Sequence, residues 1–157
     1  MTYKSRVQSW GGWVPCEIEN TAKITPHFAV EEIANPSCKE DVKLVMPQGA
    51  FTALLALEWV RTQYNKKMPV NSGYRSPSYN KEIGGTPDSL HLLCEAFDIG
   101  LGNITDKTFN NFYLWVYAAA VKYDVQAELL RYSWGLHIGF GKLNYTSERI
   151  YSEDKRK

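Results

Sequence analysis

The stretch Ser89-Leu-His-Leu-Leu-Cys-Glu-Ala-Phe-Asp98 decides the fold, because it leads from a polar loop into the interior of a sheet. The run Ala96-Phe-Asp-Ile99 is short and mostly apolar, which predicts a buried strand. His91 precedes this strand, and Asp98 lies within it, seven residues further along the chain. A turn at Cys94 would bring both side chains to one side of the sheet.

A second histidine extends this pattern. His137 lies in the apolar segment 136–140, which predicts a neighbouring strand. Zinc binds imidazole nitrogens and carboxylate oxygens, so His91, Asp98 and His137 form a possible three-ligand set with a fourth position open for water. Zinc-bound water is a nucleophile for amide or ester hydrolysis. The alternative for the same residues is two hydrogen-bonded polar histidines and an aspartate in a turn.

The surrounding sequence predicts two long helices and several short strands. Apolar residues recur at helical spacing near Gln48–Tyr64 and over 106–123, where Thr105 can act as the N-cap. The loop 74–88 is rich in Ser, Pro, Gly and Asn, and such loops often carry binding residues. Short strands are predicted at 68–73, 96–99, 125–130 and 136–140. This order predicts an α+β fold with a small, mostly antiparallel sheet packed against helices.

The two ends of the chain show no regular pattern. Residues 1–23 are predicted to form an irregular N-terminal arm, because Gly11, Gly12 and Pro15 interrupt it. Residues 146–157 are predicted to form a charged, solvated tail. The length of 157 residues is that of one domain, so we expect residues 1–157 to form a single unit.

Composition excludes several classes of protein. The formal net charge of +1 gives no sign of a nucleic-acid or membrane-surface footprint. No run is apolar enough to span a bilayer, and the first residues lack the hydrophobic core of a secretory signal. We therefore expect a protein made in the cytoplasm, and a monomer. The three cysteines contain no Cys-x-x-Cys pair, which argues against a zinc ribbon; a catalytic thiol at Cys94 is a less favoured alternative.

Two segments resemble one enzyme family. These are Val70-Asn-Ser-Gly-Tyr-Arg-Ser-Pro-Ser-Tyr-Asn80 and Ile83-Gly-Gly-Thr-Pro-Asp-Ser-Leu-His-Leu-Leu-Cys-Glu-Ala-Phe-Asp-Ile99, followed by Trp134-Gly-Leu-His137. They resemble the zinc D-alanyl-D-alanine carboxypeptidases and the phage L-alanyl-D-glutamate endopeptidases, which share their fold with the Hedgehog signalling domain. The resemblance spans roughly residues 24–140, so it implies this fold for most of the chain.

The resemblance implies a role for each matching residue. His91, Asp98 and His137 match the zinc ligands of the family. Arg75 matches the arginine that binds a substrate carboxylate or the polarised carbonyl oxygen, a task suited to the paired donors of a guanidinium. Ser89 matches a serine that can donate a hydrogen bond to substrate, although a role in forming the turn is an equal alternative.

The chain departs from the family pattern at three positions. Cys94 replaces a glycine, so the turn must accept a side chain, at a cost of about 1 kcal/mol if φ is positive. The family's general base, shortly before the last histidine, has no counterpart, and the nearest upstream carboxylate is Glu128. We expect Glu128 to reach the site only through a shifted hairpin register. The third departure is Gly139, two residues after His137, where many members have an aspartate.

The implied activity is zinc-dependent hydrolysis of peptide bonds in peptidoglycan stem peptides, with Glu128 as the general base. The enzyme would be a carboxypeptidase or an endopeptidase, in the manner of an endolysin that a phage or prophage releases onto the cell wall. The alternative is an inactive family member that acts as a wall-binding or phage structural module. Glu128 close to the ligands would favour the enzyme, and Glu128 in solvent would favour the binder.

Overall fold

The computed structural model describes residues 2–9, 12–19, 23–34, 44–46 and 48–156, and it has an α+β fold. Its strands are β1 (Thr2–Ser9), β2 (Gly12–Glu19), β3 (Leu44–Met46), β4 (Val70–Ser72), β5 (Ala96–Gly100), β6 (Gln126–Tyr132), β7 (Gly135–Gly141) and β8 (Ile150–Asp154). Its helices are α1 (Val30–Ile33), α2 (Gln48–Tyr64), α3 (Pro77–Glu82) and α4 (Asp106–Lys122). None of these helices is long and apolar enough to cross a membrane.

The N-terminal residues differ from the predicted irregular arm. Strands β1 and β2 pair in antiparallel fashion, and β3 pairs with β1 in parallel, so the order is β2-β1-β3. Gly12, interpreted as a breaker, begins β2 and pairs with Ser9; glycines are common where a hairpin turns. Pro15 lies in β2 at the edge of this sheet, where a missing N–H disrupts no ladder between strands. Residues 1, 10–11 and 20–22 of the predicted arm lie outside the described residues.

The larger sheet is mixed, and the prediction of a mostly antiparallel sheet is wrong. Its strand order is β4-β5-β7-β6-β8. The first three pairings are antiparallel, but β8 runs parallel to β6 at the edge. Strand β8 also replaces part of the predicted solvated tail. It forms because Ile150 is buried against the core while its backbone pairs with Ala127.

The two long helices confirm the predicted elements. The Thr105 hydroxyl accepts a hydrogen bond from the Thr108 N–H at 3.2 Å and so caps α4, as its position predicted. Both helices contribute to one hydrophobic core, through residues such as Leu54 and Leu57 of α2 and Phe112 and Val116 of α4. The core fixes the sheet against α2 and α4.

Strand periodicity then separates the core from the polar residues. In β5, Phe97 and Ile99 belong to the core, so Asp98 between them points to the other face of the sheet. In β7, Leu136 and Ile138 belong to the core on either side of His137, so His137 also points to the other face. Two polar side chains of neighbouring strands are therefore brought together on the face away from the core.

Buried charge also connects the edge of the sheet to α4. The Arg131 guanidinium of β6 donates from Nη1 to Asp106 Oδ1 at 2.7 Å, and it also donates to the carbonyl oxygen of Ile104. Nη1 lies 3.6 Å from Asp154 Oδ2 in β8. We call Arg131, Asp106 and Asp154 the arginine cluster; it fastens β6, β8 and the start of α4 to one another.

Candidate metal centre

An open cleft of about 370 Å³ lies on the polar face of the sheet. Its walls come from the loop before β5, the β6–β7 hairpin and the loop after β7. His91, Asp98 and His137 all line it, together with Arg75, Ser89 and Glu128. The structure therefore brings all six candidate site residues of the sequence to one cleft.

His91 is held with one ring nitrogen aimed at Asp98. It lies in a 3-10 turn, Leu90–Leu93, and its Nδ1 is 2.7 Å from the carbonyl oxygen of Gly73. A carbonyl oxygen can only accept, so Nδ1 carries the proton, and the Nε2 of a neutral ring carries a lone pair. Nε2 lies 3.3 Å from Asp98 Oδ1. A lone pair that faces a carboxylate oxygen needs a cation between them, either a metal ion or a proton.

Asp98 and His137 are direct partners across β5 and β7. His137 Nδ1 lies 2.9 Å from Asp98 Oδ1. Burial opposes ionisation of Asp98, but the hydrogen bond from His137 and the contact with His91 outweigh it and hold the pKa of Asp98 well below its usual range. Burial lowers the pKa of His137, but Asp98 and Glu128 raise it more, to about 9. The two pKa shifts have the same cause: the shielded carboxylates stabilise positive charge on the groups beside them.

These residues fit a single metal ion. One ligand atom each from His91, Asp98 and His137 lies within 4.8 Å of the other two. His137 Nε2 is buried and has no hydrogen-bond partner of normal geometry. Glu128 Oε1 lies 2.8 Å from it, but the oxygen is off the direction of the ring N–H. We call His91, Asp98 and His137 the ligand cluster. Two imidazoles and one carboxylate beside open space suit zinc better than Mg²⁺ or Ca²⁺, which prefer all-oxygen sites.

Arg75 binds the ligand aspartate itself. Its Nη2 donates to Asp98 Oδ2 at 2.9 Å, and its Nε donates to the hydroxyl oxygen of Ser72 at 3.0 Å. Asp98 Oδ2 is thereby occupied, and Oδ1 is left to the two histidines. Since Arg75 also lines the cleft, its predicted role toward a substrate carboxylate stays a prediction beside this positioning role.

Ser89 has a structural role in the turn that carries His91. Its hydroxyl oxygen accepts a hydrogen bond from the His91 backbone N–H at 3.3 Å, which caps the 3-10 turn. This contact supports the alternative in which the serine forms the turn. Ser89 also lines the cleft, so a contact of its hydroxyl with substrate stays a prediction.

Glu128 approaches His137 without the shifted register that we expected. The hairpin is regular, with Tyr132 opposite Gly135 and Glu128 opposite Gly139. Glu128 is thus diagonal to His137 on the same face, a distance that long side chains can span. At Gly139, opposite Glu128, an added Cβ would lie at an ordinary contact distance of 3.6 Å from the Cβ of Glu128, but only 2.9 Å from a methyl carbon of Leu90.

Cys94 occupies the left-handed conformation that the glycine of the family pattern suggested, with φ of 56°. Its side chain is fully buried in the core, and burial raises the pKa of its thiol to about 12. A thiol of this kind is neutral near pH 7 and is a poor nucleophile. The position of Cys94 therefore opposes the alternative of a thiol enzyme.

Among the polar residues of the cleft that sequence reasoning missed, Tyr145 contacts a candidate site residue. Tyr145, in the loop between β7 and β8, donates a hydrogen bond from its hydroxyl to Glu128 Oε2. No local pattern marks this tyrosine, because its position depends on how β8 returns beside β6. In the sequence Tyr145 is one of ten tyrosines, and its position gives no sign of a role in the cleft.

Comparison with known proteins bears on the ligand cluster directly. The family described as Peptidase M15 matches residues 26–129. The matched segment contains His91, Asp98 and Glu128, and it ends before His137. No curated protein matches the chain significantly. Because the family match covers more than half of the sequence, the chain belongs to the peptidase M15 family.

Proposed function

We propose that this protein is a zinc-dependent peptidase that hydrolyses peptide bonds in peptidoglycan stem peptides. One observation carries the proposal: the ligand atoms of His91, Asp98 and His137 lie within 4.8 Å of one another at an open cleft. Membership of the peptidase M15 family supports hydrolysis of a peptide. The resemblance in residues 24–140 supports a stem peptide as substrate and a Hedgehog/DD-peptidase fold.

The residues of the cleft have separate tasks in this mechanism. His91, Asp98 and His137 would hold the zinc, which when bound supplies a Lewis acid and lowers the pKa of water. Arg75 fixes the carboxylate of Asp98 through Oδ2. The carbonyl oxygen of Gly73 fixes the tautomer of His91 by accepting a hydrogen bond from its Nδ1–H. Both contacts orient ligands before substrate arrives, which is how an active site avoids reorganisation during the reaction.

Glu128 is the proposed general base. It accepts a proton from the attacking water and delivers it to the amine that leaves. Its side chain is largely buried, and Oε1 is 2.8 Å from His137 Nε2. A glutamate in this place supports an enzyme over a wall-binding or phage structural module, for which Glu128 would point to solvent.

The proposal extends to the biological setting. An endolysin-like enzyme would act on the cell wall once a phage or prophage releases it. Hydrolysis at L-Ala–D-Glu would make it an endopeptidase, and hydrolysis at D-Ala–D-Ala a carboxypeptidase.

Metal analysis and digestion of purified peptidoglycan test the proposal together. We expect about one zinc per chain and release of new amino termini that a chelator stops and added zinc restores. The identity of the released residue tells the two bonds apart. Zinc without cleavage would favour the inactive binder, and a protein that binds no zinc would contradict the site.

A further inference from the structure

The hydroxyl of Tyr145 contacts the carboxylate that we assign as the general base. It donates a hydrogen bond to Glu128 Oε2, while Oε1 of the same carboxylate faces His137 Nε2. The two oxygens of Glu128 therefore have different neighbours, one on the loop after β7 and the other in the ligand cluster. This division fixes the plane of the carboxylate, which a contact to one oxygen alone would leave free to rotate.

Tyr145 is itself supported by the edge strand. Its ring packs edge to face on the ring of Tyr151, with centroids 5.4 Å apart and planes at 86°. Tyr151 lies in β8 and is the register partner of Glu128 in β6. Glu128, Tyr145 and Tyr151 of β8 thus form one connected unit. An edge-to-face aromatic pair of this kind adds stability beyond its buried area.

The position of this unit in the chain is informative. Tyr145 and Tyr151 both lie beyond residue 129, where the match to the peptidase M15 family ends. The part of the chain after the hairpin therefore contributes a polar group to the cleft. A glutamate has three rotatable side-chain bonds, so a base on an open cleft must be held in place to be effective.

We propose that Tyr145 is a positioning residue that holds Glu128 in the orientation needed to take a proton from the attacking water. This inference rests on the proposed function, because it assigns the tyrosine to the base of that reaction. The hydroxyl does not bind the substrate in this proposal. Its loss should therefore affect the chemical step and leave substrate affinity intact.

The first experiment compares Tyr145→Phe with Tyr117→Phe in the zinc-loaded protein. Tyr117 is an exposed tyrosine on α4, away from the cleft, so it controls for the loss of a phenol hydroxyl. We expect Tyr145→Phe to lower kcat about tenfold, within the roughly 100-fold that a misplaced group can cost, with KM and zinc content unchanged. An unchanged kcat would overturn the positioning role, and so would a fall in zinc content that accounts for the lost activity.

A second experiment needs no activity. Thermal unfolding of the metal-free protein measures the coupling of Tyr145 to Glu128 through a double-variant cycle. We expect Tyr145→Phe to lower Tm in the wild-type background and to leave Tm unchanged in a Glu128→Ala background. Equal shifts in both backgrounds would overturn the contact.

The outcomes separate this inference from the proposed function. If the wild-type protein releases amino termini from peptidoglycan and Tyr145→Phe has the kcat of Tyr117→Phe, the hydrolase stands and the positioning role falls. If the zinc-loaded wild-type protein releases none, the hydrolase and the positioning role fall together.

Discussion

The ligand cluster and the arginine cluster lie on the same sheet, but they balance buried charge in different ways. In the arginine cluster the guanidinium of Arg131 is buried, while its partners Asp106 and Asp154 are 83% and 41% exposed. Water can therefore stabilise the two carboxylates. In the ligand cluster both partners are shielded, because Asp98 and His137 have side chains that are each 14% exposed. Charge that water cannot reach must be balanced by the protein or by a bound cation.

This difference separates a structural group from a functional one. The arginine cluster connects three elements, and it also contains a buried nitrogen without a hydrogen-bond partner, Arg131 Nε. The pocket that borders this cluster is lined by Asp154 and not by Arg131. The ligand cluster differs because its buried nitrogen without a hydrogen-bond partner of normal geometry, His137 Nε2, belongs to a residue that lines the cleft. An incompletely satisfied site next to open space is expected where a protein binds something, and the comparison predicts distinct effects for matched substitutions.

The largest effect is expected from Asp98→Ala. The change removes the carboxylate shared by both histidines, so stoichiometric zinc binding and hydrolysis should both be lost. Asp106→Ala removes a carboxylate from the arginine cluster and should keep both. Metal analysis of the two purified variants checks the prediction. Full zinc content in Asp98→Ala would show that the ligand cluster is not the metal site.

Glu128→Gln should separate metal binding from catalysis. The amide keeps the size of the side chain but cannot accept the proton of water, so the rate should fall by about 10²–10⁴ while zinc content stays at the wild-type level. Steady-state kinetics with the zinc-loaded variant measure the effect. A rate equal to that of the wild type would mean that another group is the base.

Arg131→Met should affect stability and leave the site intact. The variant loses hydrogen bonds to Asp106 and Ile104 from a buried side chain, which should lower the free energy of unfolding by about 1–3 kcal/mol. Zinc content should not change. Arg149→Met is the matched control, because Arg149 pairs with the exposed Asp124 and should contribute little. Urea unfolding measures the free energy of unfolding of both variants. Equal losses would contradict the difference that we expect between the buried and the exposed arginine.

The smallest effect is expected at Cys94, a buried residue of the hydrophobic core. With the pKa of its thiol raised to about 12 by burial, Cys94 should resist iodoacetamide at pH 8 in the native protein and react after unfolding. Peptide mass spectrometry reads the modification at this residue separately from the other cysteines. Rapid alkylation of Cys94 in the native protein, together with loss of hydrolysis, would support the alternative of a thiol enzyme.

Local patterns predicted much of the fold and the ligand set. Helices α2 and α4, the cap at Thr105 and the strands β4 to β7 followed from apolar periodicity, which depends on a few neighbouring residues. The N-terminal strands and β8 were missed. Strand β8 pairs with a strand that is distant in sequence, and its charged composition concealed it. Strands β1 and β2 form a local hairpin, which Gly12 and Pro15 concealed.

The sequence by itself determined which side chains could bind a metal, because His91, Asp98 and His137 lie in recognisable motifs on or beside predicted strands. The tertiary structure alone decided how the site is completed. Arg75 reaches Asp98 across 23 positions of sequence, and Tyr145 reaches Glu128 across 17. Such contacts depend on strand register and on the parallel return of β8, whereas a sequence motif records only the order of residues along one strand or turn.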